Sequence, residues 1–70
     1  MNLLPVNSSN LSAIGYDEIP ATLEVHFRNG TAYRYLNVPK FVFEALIRAP
    51  SKGGAFNEMI RVKYQFMKFA

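Results

Sequence analysis

The sequence predicts an α+β domain: a three-stranded antiparallel meander sheet followed by two helices packed on one face, in the order β-β-β-α-α. Three observations lead there. Thr22 to Leu36 (TLEVHFRNGTAYRYL) alternates apolar and polar residues around an Asn29-Gly30 turn, the pattern of a β-hairpin. Lys40 to Ala49 carries apolar residues at helical spacing and is closed by Pro50. A second stretch of helical spacing follows a Ser-Lys-Gly-Gly break at residues 51–54.

The chain in order supports each element. Pro5 to Ser12 (PVNSSNLS) reads as a turn or extended segment tied by local side-chain hydrogen bonds. Leu11 to Tyr16 forms the first strand. Leu11 and Ile14 are out of step for a period of two, which calls for an irregularity between them or at Gly15. Asp17-Glu18-Ile19-Pro20 is a turn, since Pro20 offers no ladder donor.

Two hairpin registers are open. With a two-residue Asn29-Gly30 turn, Phe27 faces Ala32, Val25 faces Arg34, and Tyr33 and Tyr35 join His26 and Glu24 on the polar side. With a three-residue loop Arg28-Asn29-Gly30 and Gly30 left-handed in a bulge, Val25 faces Tyr33, Leu23 faces Tyr35, and Arg34 lies opposite Glu24. The second is favoured because cross-strand chemistry then matches on both faces. It turns the two tyrosines mainly into the core.

Asn37-Val38-Pro39 closes the sheet and opens the first helix, Asn37 or Val38 in the cap region and Pro39 in the first turn. That helix is expected from Pro39 to Ala49. Val42, Leu46 and Ala49 with Ala45 make its apolar stripe, Phe41, Phe43 and Ile47 widen the buried arc, and Lys40, Glu44 and Arg48 form a charged stripe. The second helix is expected from Ala55, with Phe56, Met59, Ile60, Tyr64 and Met67 on one face; Gln65 to Ala70 shows no cap signal and is left open.

Seventy residues make a single domain (1–70) near the lower edge of independent stability. Six Phe and four Tyr supply its apolar material, and the absence of Cys removes disulfides and thiolate metal sites. A reducing cytoplasmic location fits that composition. Met1 to Pro5 is too short and uncharged for a signal peptide, and Glu44 interrupts the apolar run in the first helix, so no membrane partner is expected. The net charge of +3 is uneven: from Lys40 onward it is +4, before it −1. A basic, aromatic-bearing half suits a polyanion and equally a solvated helix surface.

No catalytic constellation, metal set or cofactor motif is visible. His26 is the one histidine, Asp17 and Glu18 are neighbours in a turn, and no phosphate loop of recognised spacing occurs. His26 reads as an ordinary surface residue. Ser51-Lys52-Gly53-Gly54 ahead of a helix is the best local anion site, although such linkers are common. Ser8-Ser9-Asn10 offers donors to a ligand or, more simply, to its own turn.

Several short pieces in order carry a family resemblance: Ser8-Ser9-Asn10, Ile14-Gly15-Tyr16-Asp17, Leu23-x-Val25-x-Phe27, Gly30, Tyr33-Arg34-Tyr35, Val38-Pro39, Ala49-x-Ser51-x-Gly53, and Phe56-Asn57 with Ile60-Arg61. As a set they resemble the KTSC domain, a short module named for its occurrence at the C-terminus of some lysyl-tRNA synthetases and also found as a stand-alone bacterial or phage-type protein. The resemblance brings no established activity; an RNA-binding role is what it suggests. Gln65 and Met67 stand where a Pro and a further basic residue are expected, which argues against a basic tail contact.

The leading expectation is a non-enzymatic nucleic-acid-binding module, for RNA. Tyr16, Tyr33 and Tyr35 with Arg34 would stack on bases, Lys52, Arg61 and Lys63 would meet phosphates, Ser51 and Gly53 would line the anion loop, and Asn57 would bond a base edge or cap its helix. Two alternatives stand beside it. One is an oligomeric binder that sequesters a nucleotide or cyclic nucleotide between subunits. The other is a protein-interaction module that docks on another chain, or on itself as a homo-oligomer, through an exposed strand edge or through Phe66, Met67 and Phe69.

Overall fold

The structure, a computed structural model, describes residues 1–70. The elements run β1 (Leu3–Pro5), β2 (Leu11–Asp17), β3 (Thr22–Phe27), β4 (Ala32–Leu36), α1 (Lys40–Arg48), α2 (Lys52–Met59) and β5 (Phe66–Lys68). The sheet therefore has five strands, not three, in spatial order β1-β2-β3-β4-β5 with every pair antiparallel. No helix is long and apolar enough to cross a membrane.

The central hairpin adopts the three-residue loop. Leu23 lies opposite Tyr35, Glu24 opposite Arg34 and Val25 opposite Tyr33. Phe27 N–H donates to Thr31 O at 2.8 Å and Gly30 N–H to Phe27 O at 3.1 Å. Gly30 has φ +93°, a conformation that glycine enters without a Cβ penalty. Asn29 Oδ1 accepts from the Thr31 amide at 3.0 Å and its hydroxyl at 2.7 Å, which pins the loop. The irregularity in β2 falls between Leu11 and Ala13, so Leu11 and Ile14 both reach the core although three positions apart.

The two added strands are three residues each, too short to show a period of two. β1 pairs with β2, Leu4 opposite Ile14. β5 corrects the expectation that Met67 continues a helical face. Helix α2 stops at Met59, and the chain returns along the free edge of β4, with Leu36 N–H bonded to Gln65 O and Phe69 N–H to Ala32 O. An open edge of unpaired amides and carbonyls is a backbone partner that side-chain spacing does not reveal.

Helix α2 also begins earlier than expected. Gly53 and Gly54 lie inside its first turn, because Ser51 occupies the N-cap and its Oγ accepts from Gly54 N at 3.2 Å. In α1 the N-cap is Pro39, with no side-chain cap bond, and Asn37 instead takes a left-handed φ of +58° at the bend. The buried arc of α1 centres on Leu46, with Val42, Phe43 and Ile47 half-buried; Ala45 and Phe41 are solvent-exposed, contrary to the expected stripe.

Ile14, Leu23, Val25 and Tyr35 share one sheet face and pack with Leu46, Phe56 and Ile60 from the helical segment. No buried side-chain polar atom lacks a partner. Replacing Gly30 by Ala puts a side chain in the left-handed region and is expected to lower stability by about 1–2 kcal/mol in urea unfolding. A loss indistinguishable from zero would contradict a left-handed requirement at this position.

Candidate functional site

The alternation of β4 decides which predicted residues meet. Tyr33 and Tyr35 face the helices and Arg34 faces away, where its Nε donates to Glu24 Oε1 at 3.0 Å and its guanidinium lies 4.6 Å above the Phe69 ring. His26 Nε2 is 2.6 Å from the other oxygen of Glu24, and its ring meets Phe69 edge-on at 6.0 Å. Glu24 is 8% exposed. Burial pushes its carboxyl up, but the hydrogen bonds and charges of His26 and Arg34 outweigh that and hold it below the ordinary carboxylate range. His26 is thus one of three members of a polar cluster rather than a free surface residue.

On the helix side the rings build a continuous wall. Phe27 meets Tyr33 at 5.7 Å and Phe56 at 5.5 Å, Tyr35 meets Phe56 at 5.4 Å, and Phe66 of β5 lies 5.6 Å from Tyr33. Most contacts are edge-on or tilted, the arrangement that ring quadrupoles favour. Above this wall opens a cleft of about 810 Å³. The hairpin loop contributes Arg28, Asn29 and Thr31 to one side; Gly53 and Asn57 of α2 and the following Arg61 contribute another; Ser9 and Asn10 contribute a third. No Asp, Glu or His lines it.

Five of the predicted site residues converge there: Tyr33, Tyr35, Gly53, Asn57 and Arg61. Tyr35 is floor rather than working surface, at 3% exposure. Burial and neighbouring Tyr33 raise its hydroxyl pKa, with Arg61 opposing them. Tyr33 is half-buried and Phe66 is 54% exposed, so these two offer ring area to a ligand.

The structure does not bring the other five into the cleft. Tyr16 stacks on Phe43 at 4.8 Å and its hydroxyl donates to Val38 O at 2.6 Å, tying the sheet to the start of α1. Burial, then Glu18, raises its pKa, and Lys40 partly opposes them. Arg34 is held on the opposite face. Ser51 is the α2 cap and Lys52 Nζ donates to Ala49 O at 2.8 Å, so the expected anion loop closes on itself. Lys63 borders a separate depression with Leu36 and Gln65.

Sequence reasoning missed Arg28 and Phe27, and offered Phe66 only as a protein-docking residue, not as part of this cleft. Arg28 had a visible signal, a cation inside a hairpin loop; its Nε donates to Ser8 O, which draws the Ser8–Asn10 segment toward the hairpin. Phe66 had none, because its position depends on β5. Asn10 comes close to α2, a Cβ on Gly53 lying 3.8 Å from Asn10 Nδ2.

The KTSC domain family model matches residues 7–64, most of the chain and all but one of the cleft-lining positions. This chain belongs to the KTSC domain family. An uncharacterized protein of Stutzerimonas stutzeri is 39% identical over 64 residues, covering 91% of this chain and 90% of its own. A lysine–tRNA ligase of Nostoc punctiforme is also 39% identical over 64 residues, but there the matched segment is 11% of the protein. The crystal structure of a KTSC domain protein from Yersinia pestis superposes with a TM-score of 0.93 at 37% identity, covering 99% of this chain and 97% of that one.

Two outcomes follow from the residues outside the cleft. Because the folded pKa of Glu24 is depressed, its stabilisation is complete above the unfolded value of about 4.3 and is lost as pH falls through the lower folded value. Urea titrations between about pH 6 and pH 3 should show this loss, and Glu24→Gln, less stable at neutral pH by about 1–3 kcal/mol, should show a shallower one. Equal acid slopes in the two forms would contradict the assignment. Tyr16→Phe should cost about 1 kcal/mol of stability through its lost bond to Val38 and leave ligand binding at the cleft unchanged.

Proposed function

We propose that this KTSC domain is a non-enzymatic nucleic-acid-binding module that takes single-stranded RNA into the aromatic cleft. The observation that carries this reading is the combination within one concavity of exposed ring area, two arginines and several carboxamides without any acidic residue. Stacking on Tyr33 and Phe66 suits bases, the guanidiniums of Arg28 and Arg61 suit phosphates, and Asn10 and Asn57 match the donor–acceptor edges of bases. The lack of a lining carboxylate or imidazole leaves only tyrosine hydroxyls as acid or base groups, which favours binding over chemistry. RNA is preferred over DNA because relatives of this domain occur in lysine–tRNA ligases, proteins named for an RNA substrate.

The test is titration of fluorescently labelled single-stranded RNA and DNA at two salt concentrations. Binding should weaken with salt, and Arg61→Gln or Tyr33→Ala should each weaken it about 5- to 150-fold, the range for one lost phosphate or stacking contact of about 1–3 kcal/mol. Arg34→Gln, on the opposite face, should leave affinity unchanged in protein that remains folded. No binding at low salt would defeat the proposal.

A second reading, a binder of free nucleotides, draws on the volume of the same cleft, which lies in the range of about 300–1,000 Å³ typical of small-molecule sites. Thermal shifts against a nucleotide panel distinguish it, since a ligand at 100 times its Kd adds about 2.7 kcal/mol to stability.

A further inference from the structure

We infer that the cleft is a nucleotide-scale site, one that holds a unit of one or two nucleotides and does not track a longer strand. This inference rests on the nucleic-acid reading above and specifies how much of the polymer is recognised. Its basis is where the cations are. Arg34 is paired with Glu24, Lys40 with Glu18 at 3.0 Å, and Lys52 is bonded to the Ala49 carbonyl. Arg48 and Lys68 do not line the cleft and Lys63 borders a different depression. Of eight basic residues only Arg28 and Arg61 line the site, while Lys68, opposite Tyr33 on the same sheet face, stays outside its lining.

A groove that follows single strands covers about 4–16 nucleotides and strings cations along the backbone path. Here the two arginines come from separate elements, the hairpin loop and the segment after α2, so they meet phosphates only within the dimensions of one cleft. The ring area is equally compact, since Tyr33 and Phe66 are in mutual contact at 5.6 Å, tilted 54° to each other, and form one pair rather than a series. The polar lining extends the argument. Asn29 Oδ1 is consumed by Thr31, and Arg28 Nε by Ser8, which leaves Ser9, Asn10, Asn57 and Arg61 with no side-chain partner inside the protein. The chemistry recognised is a base beside one or two phosphates, supplied by a short RNA segment or by a free dinucleotide.

The experiment is calorimetric titration of the whole domain with oligoribonucleotides of two, four, eight and sixteen residues, and with linear and cyclic dinucleotides, at several salt concentrations. After correction for the number of binding registers, affinity should level off between two and four residues. The plot of log K against log salt should have a slope no steeper than about −1.4, two contacts at about −0.7 each. Arg61→Gln should flatten that slope by about 0.7, and Lys63→Gln should leave it unchanged. Tighter binding of a free dinucleotide than of the equally long RNA segment assigns the free molecule as occupant; the reverse assigns the RNA. Affinity that climbs through sixteen residues with a slope steeper than about −3 overturns the nucleotide-scale site while leaving nucleic-acid binding intact. Failure of every probe to bind at low salt removes both.

Discussion

The register of the β3–β4 hairpin is the constraint on which the molecule is organised. A strand presents alternate residues to opposite faces, so a slip of one position would exchange every side chain between them. Gly30, at φ +93°, with the Asn29 side chain bonded to Thr31, selects the three-residue loop. That choice sends Leu23, Val25 and Tyr35 into the core and leaves Glu24 and Arg34 opposite each other on the far side. The cleft exists because Phe27, Tyr33 and Tyr35 fall on the helix face together.

The far face follows from the same choice. A carboxylate on a nearly buried strand position is costly unless paired, and Glu24 has both oxygens engaged, one by Arg34 and one near His26. Phe69 covers this cluster, its ring taking the guanidinium of Arg34 above it and the edge of His26 beside it. The strand motif Tyr33-Arg34-Tyr35 is therefore divided between two faces. Its rings serve the core and cleft, and its cation serves the internal electrostatics of the sheet.

A chain of this size has little surface to spare, and its cleft is made from parts that also hold the fold. Tyr35 and Phe56 are core residues and the floor of the cleft at once. Arg28 joins the hairpin to the Ser8–Asn10 loop through its Nε while lining the opening. Only residues at the rim, such as Asn57 and Arg61, contribute little to packing, and they are exposed. Ligand specificity in such a domain resides in rim groups, because the floor is constrained by stability.

Much of the fold was legible in the sequence where local pattern and burial agree. The hairpin, the irregularity after Leu11 and helix α1 follow from alternation, turn chemistry and spacing that any half-buried strand or amphipathic helix must show. Membership of the family was likewise readable from scattered pieces such as Tyr33-Arg34-Tyr35 and Phe56-Asn57. Strands β1 and β5 were not, since three residues carry no period and their conformation is dictated by an unpaired edge elsewhere in the chain. The site was half legible for the same reason. Residue type marks Tyr33, Asn57 and Arg61 as able to bind, and equally Tyr16, Arg34 and Lys52, whose groups are spent on Val38, Glu24 and Ala49. By itself the sequence determined which chemistries were present and how the local elements form. Only the tertiary structure decided which of those groups share a concavity, because that depends on contacts between residues far apart in the chain, which no local pattern records.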